Sequence, residues 1–161
     1  MARSEPRATA YRWTILQRHG RGWCPRHTMH EHEGMIGRRH HVVIDCPEPA
    51  ALAAFYSELI GLPVSYRSDD WVVIAETETA SGFAFQFAPD HRPPQWPDPD
   101  RPQQVHLDVM VDELAVAEPR VLALGARQLP EGDHVYADPA GHPFCLIARP
   151  QWAQPIHAAG T

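Results

Sequence analysis

The chain has 161 residues, 43% of them hydrophobic and 21% charged, with a formal net charge of −6. That length suits one domain with a real core, and the acidic balance argues against a nucleic-acid partner. No apolar run approaches the roughly 20 residues of a membrane span, and Cys24, Cys46 and Cys145 lack paired spacing, which fits a reducing cytoplasm better than a disulfide framework.

Residues 1–35 are rich in Arg, Gly and His, show no sustained period, and read as a disordered basic extension. The first expected element is a strand over His40–Cys46, with His41, Val43 and Asp45 on one face and Val42 and Ile44 on the other. A helix should run from about Ala50 to Ile60, because Leu52, Phe55, Tyr56 and Leu59 fall on one stripe. Pro49 suits its first turn and Gly61 its C-terminal cap. Strands are expected over 62–67, 71–75 and 81–88, the last alternating Phe83, Phe85 and Phe87 with smaller or polar residues. Residues 89–102 hold six prolines and so form a stiff connector, with Trp96 in its middle.

Gln103–Val111 alternates again. It predicts a strand with His106, Asp108 and Met110 on one face and Val105, Leu107, Val109 and Val111 on a core face. A second helix lies within Asp112–Leu124, disturbed early by Pro119 and capped by Gly125. Short strands are expected over 126–129 and 135–137, a tight turn at Asp138-Pro-Ala-Gly141, and a last strand over Phe144–Ala148. His40, His134 and His142, near strand ends, read as surface residues, and 151–161 as a tail.

The halves repeat. His41-Val-Val-Ile matches His106-Leu-Asp-Val, Leu59-Ile-Gly-Leu62 matches Ala123-Leu-Gly-Ala126, and Ser81-Gly-Phe-Ala-Phe-Gln86 matches Ala140-Gly-His-Pro-Phe-Cys145. This pairs His41 with His106 and Gln86 with Cys145. Under pseudo-twofold symmetry the four side chains approach one axis, making a polar or metal-binding pocket with two donors from each half. Asp45 and Asp108 share those faces and are placed to orient the imidazoles as hydrogen-bond acceptors. Trp71, Phe83, Phe85 and Trp96 offer apolar pocket walls. A buried cysteine most often serves as a small hydrophobe, which weighs against Cys145 as a ligand.

The stretches His41–Pro49, Ala54–Gly61, Pro94–Pro97, Gln104–Asp108, Leu124–Ala126 and Asp138–Leu146 together resemble the vicinal oxygen chelate superfamily. That group includes glyoxalase I, bleomycin-resistance proteins and extradiol dioxygenases; the likeness is to its bacterial glyoxalase-like single-domain members and spans residues 36–150. It implies an α+β fold of two pseudo-symmetric βαβββ modules forming a curled mixed sheet around a central pocket. It also implies a homodimer, and a divalent ion (Zn, Ni or Fe) or none at His41, Gln86, His106 and Cys145. The chain departs from the enzymes of that group by carrying Gln86 and Cys145 where carboxylates usually stand. A glutamine cannot titrate and a Cys145 thiolate would be captured by the metal, so the usual base for a glyoxalase-type proton transfer is missing, with Asp45 and Asp108 the less favoured substitutes, and no catalytic residue is assigned. Two functions follow from the resemblance. The first, favoured by the Gln/Cys pair, is binding of a small molecule in the pocket between the modules. The second is a divalent-metal-dependent lyase, isomerase or dioxygenase-type enzyme that chelates two substrate oxygens.

Overall fold

A computed structural model describes residues 36–130 and 132–156. The expected extension over 1–35 and the last five residues of the expected tail lie outside them. The elements run β1 (His41–Cys46), α1 (Pro49–Ile60), β2 (Val64–Arg67), β3 (Trp71–Ile74), β4 (Gly82–Phe87), β5 (Leu107–Val111), α2 (Leu114–Ala123), β6 (Arg127–Gln128), β7 (Val135–Ala137) and β8 (Pro143–Ala148). Each half is thus a βαβββ module. The sheet orders are β1-β4-β3-β2 and β5-β8-β7-β6, the same topology twice. In each, the first and last strands pair in parallel and the remaining neighbours pair antiparallel.

Local chemistry sets the ends of α1. Pro49 opens it, where its missing N–H costs nothing. Gly61 closes it in the left-handed region at φ 74° and donates its N–H to Ser57 O at 2.9 Å. The second helix is shorter and less buried, with Pro119 inside it and Val121 its one buried residue. Tyr136 O–H donates to Glu118 at 2.7 Å and ties that helix to β7. Of the expected tail, Ile156 donates its N–H to Asp112, whose carboxylate also pairs with Arg149.

One core serves both modules. From the first it takes Leu52, Phe55, Tyr56, Val72, Ile74 and Phe85, and from the second Val109, Val121, Tyr136, Phe144 and Leu146. Helix α1 joins the two: Tyr56 stacks on Phe85 at 5.4 Å, while Phe55 meets Phe144 edge-on at 5.9 Å. Burial of several such rings is the main force holding the modules together.

The expectation of a curled sheet around a central pocket is not met. There are two open four-stranded sheets, each hydrogen-bonded within its own module. The physical reason is the shared core. The modules meet through apolar side chains on the α1 side, so no strand edge of one sheet closes onto the other. Alternation then turns the opposite faces away from that core. In the first module that face carries His41, Val43, Asp45, Trp71, Val73 and Ala84, and in the second Asp108, Met110 and Cys145.

Candidate functional site

Two chemistry-bearing places emerge, and the first is on the outer face of the second module. Asp108 on β5 sits directly opposite Cys145 on β8. His106 stands one residue ahead of β5, since the strand begins at Leu107 rather than at Gln103. Its Nε2 lies 3.6 Å from Asp108 Oδ1. One ligand atom from each of His106, Asp108 and Cys145 lies within 4.8 Å of the others. Burial, then the charge of Asp108 and its hydrogen bond to the thiol, push Cys145 up to about 11. The metal-free thiol is therefore protonated at neutral pH.

A tetrahedral ion with bonds of about 2.0–2.3 Å spaces its donors by about 3.3–3.8 Å. The His106–Asp108 separation already fits, and the widest in the group needs to close by about 1 Å, within reach of a side-chain rotation. Imidazole, carboxylate and thiolate together suit a borderline divalent ion. Asp108, expected to orient an imidazole, joins this donor set directly.

His41 and Gln86 stand outside that group. The Gly82 N–H donates to His41 Nδ1 at 3.2 Å, and the ring lies 3.7 Å from that of His40. Burial lowers the His41 pKa, helped by the neighbouring positive charges of His40 and Arg39. Gln86 is exposed and faces Asp45 on one side and Trp71 on the other. Strand register also shows its relation to Cys145. Val42 lies opposite Phe83 and its counterpart Leu107 opposite Phe144, so the residue equivalent to Cys145 is Ala84. Gln86 is two positions farther along, about 6.6 Å at the usual rise of a strand.

The second place is a cleft of about 890 Å³ between the modules. It is lined by Val42–Asp45 and Tyr56 of the first module, by His106, Leu107, His142 and Pro143 of the second, and by parts of the connector that include His91, Arg92 and Arg101. Of the four aromatic residues expected as walls, none borders it. Phe85 is fully buried in the shared core, Phe83 packs against that core, and Trp71 packs beside Val73 and Ala84. Trp96 borders a smaller hollow with Arg127 and Leu129. Val105, expected in the core, is 70% exposed.

The cleft also holds residues that sequence reasoning passed over. His142 is half-buried, not a surface residue. Its partner Asp138 is 4% exposed and accepts hydrogen bonds from Tyr56 O–H at 2.9 Å, Ala140 N–H at 2.8 Å and His142 N–H at 2.9 Å. Burial and the adjacent Asp138 charge push the Tyr56 hydroxyl well above the ordinary tyrosine range. The signal in the sequence was an Asp and a His four residues apart across a Pro-Ala-Gly turn.

Two βαβββ modules with a cleft between them define a glyoxalase-like architecture. The sequence profile of the Glyoxalase-like domain family matches residues 41–147, and the chain belongs to that family. Similar solved structures include a glyoxalase-related enzyme from Fulvimarina pelagi, 20% identical, with a TM-score of 0.53 over 78% of this chain and 96% of that one. A glyoxalase/bleomycin resistance protein/dioxygenase family enzyme from Burkholderia phytofirmans PsJN is 18% identical, with a TM-score of 0.51 over 67% of this chain and 95% of that one. The fosfomycin resistance protein FosX from Listeria monocytogenes, complexed with Mn(II) and sulfate ion, is 16% identical, with a TM-score of 0.52 over 73% and 95%. No curated protein matches the chain. Among the described residues no helix is long and apolar enough to cross a membrane.

Proposed function

We propose that this chain binds a small molecule in the cleft between its two modules. The observation that carries the reading is the cleft itself. At about 890 Å³ it falls within the range of small-molecule sites. Its lining combines apolar walls (Val42, Ile44, Leu107) with a few converging polar groups (His91, Arg92, Arg101, His142). The test is amide NMR of the protein with a panel of small aromatic acids and phenols. Shifts confined to Ile44, Val105 and Leu107, lost on Ile44→Trp, support the reading. Shifts scattered elsewhere, or unchanged by Ile44→Trp, overturn it.

A second reading rests on the donor group on the outer face. His106, Asp108 and Cys145 would hold one divalent ion, whose Lewis acidity polarises substrate oxygens when bound. Of the protein's own groups, Asp108 accepts the hydrogen bond of the Cys145 thiol and helps hold its proton on the sulfur, and that proton must leave before the sulfur can bind metal. Metal analysis of untagged protein separates the readings, since stoichiometric ion lost on His106→Ala favours an enzyme. The outer faces expose Val43, Tyr66 and Met110, at 46%, 57% and 39%. This supports a homodimer in which a second copy covers them, to be checked by sedimentation of the wild type against Val43→Glu. Cys46 and Cys145 are both free thiols, which supports a cytoplasmic location.

A further inference from the structure

We infer that His142 and Asp138 form an acid–base dyad on the wall of the cleft, set to take the proton of a small ligand's acidic hydroxyl, of the phenol or enol class. The inference rests on the cleft reading above and adds a ligand chemistry to it.

The Asp138 side chain is fully buried, and its oxygens accept three hydrogen bonds: two from the backbone N–H groups of Ala140 and His142, which can only donate, and one from the Tyr56 hydroxyl. Its remaining neighbour is His142 Nδ1, 3.0 Å from one oxygen and 3.2 Å from the other. A carboxylate accepts and cannot donate, so Nδ1 carries the ring proton. In the neutral ring Nε2 is then a lone-pair acceptor. The His142 side chain keeps 22% of its surface exposed and borders the cleft.

The neighbouring His91 ring is fixed in the same way. Its centroid is 4.9 Å from that of His142, and its Nε2 lies 3.0 Å from the Ala140 carbonyl oxygen. A carbonyl only accepts, so His91 donates through Nε2 and its Nδ1 is the acceptor. One wall thus presents two imidazoles with tautomers set by the protein. The other charged groups around the cleft are Arg92 and Arg101, which favour an anion there, and Asp45 and Asp100, which oppose one; His106 borders it too. Arg101 spends one N–H on Pro93 O at 2.6 Å, leaving its other donors for a ligand. Val42, Ile44 and Leu107 supply a surface for an aromatic or enolic skeleton.

The step balances without another reactant. The ligand O–H bond breaks, a bond forms from His142 Nε2 to that proton, and the electron pair stays on the ligand oxygen. The products are a phenolate or enolate and an imidazolium paired with the Asp138 carboxylate.

The test uses 4-nitrophenol, whose ionised form has its own visible absorption, at a pH where the free probe is mostly protonated. The bound probe should show the phenolate spectrum. In His142→Gln, which keeps a hydrogen-bonding side chain, the phenolate-to-phenol ratio of the bound probe should fall roughly tenfold, the effect of one pKa unit. Independently, imidazole nitrogen NMR of the wild type should find His142 in the Nδ1–H tautomer. Probe that binds at Ile44 and Leu107 but stays neutral overturns the dyad and leaves the cleft reading standing. So does a phenolate spectrum that survives His142→Gln, or an Nε2–H tautomer. Absence of any shift at the cleft amides overturns both.

Discussion

The two modules share one topology and differ in what they do with it. At the middle of the first parallel strand pair, Val43 faces Ala84; at the equivalent place in the second, Asp108 faces Cys145. The turn before the last strand differs as well. In the first module Glu76–Thr79 is exposed, whereas in the second Asp138 is buried and gathers donors from its own turn and from α1. A duplicated backbone sets where a side chain points, and the residue type then decides whether the position packs or reacts. The polar chemistry of this chain is concentrated in its second module, and the first contributes a helix and one wall of the cleft.

The sharpest way to break that contrast is Asp138→Ala. It leaves the buried Tyr56 hydroxyl and two backbone N–H groups without their acceptor, and should cost about 3–5 kcal/mol in urea unfolding. Glu78→Ala, in the matching turn of the first module, should stay within about 0.5 kcal/mol. Nearly as large is the contrast between equivalent aromatics. Phe144 is fully buried where both modules meet, so Phe144→Ala should cost about 3–5 kcal/mol. Phe83→Ala should cost clearly less, because that ring is only half-buried.

The smallest effect concerns the outer faces. Cys145→Ala should weaken Zn²⁺ binding by about tenfold or more, and Ala84→Cys should create none, since Val43 beside it offers no donor. The pH dependence has a definite sign. With the thiol near 11, metal binding below that value expels the thiol proton, which by itself should raise apparent affinity about tenfold per pH unit. Titration calorimetry in buffers of different ionisation heat reads the proton directly. A flat profile in the wild type, or an unchanged slope in Cys145→Ala, removes the cysteine from the donor set.

Much of this was legible in the chain because local physics carried it. The stripe of α1, its Pro49 start and Gly61 stop, and the doubled order of elements all follow from short-range pattern. The core face of β5 was legible as well: alternation put Val109 inward, where it is buried, and Met110 on the opposite, exposed face. What was not legible is the exact register between the halves and the reach of contacts distant in sequence. The pairing of Gln86 with Cys145 went two residues out of step because it matched glycines with different tasks. Gly82 begins β4, where a Cβ would come 2.0 Å from Ile74 O, whereas Gly141 makes a turn at φ 94°. Asp138 was seen as a turn residue, and its burial depended on Tyr56, 82 positions away.

That separation bears on how the halves assemble. The contact between Gly82 and His41 closes a segment of 41 residues, and the Tyr56–Asp138 hydrogen bond closes one of 82. Doubling a closed segment adds only about 0.6 kcal/mol of chain entropy. Docking of finished modules is therefore little harder for the chain than closing one of them. Cutting the connector would change this, because the second closure would become an encounter between separate fragments and lose the millimolar effective concentration that a short tether supplies.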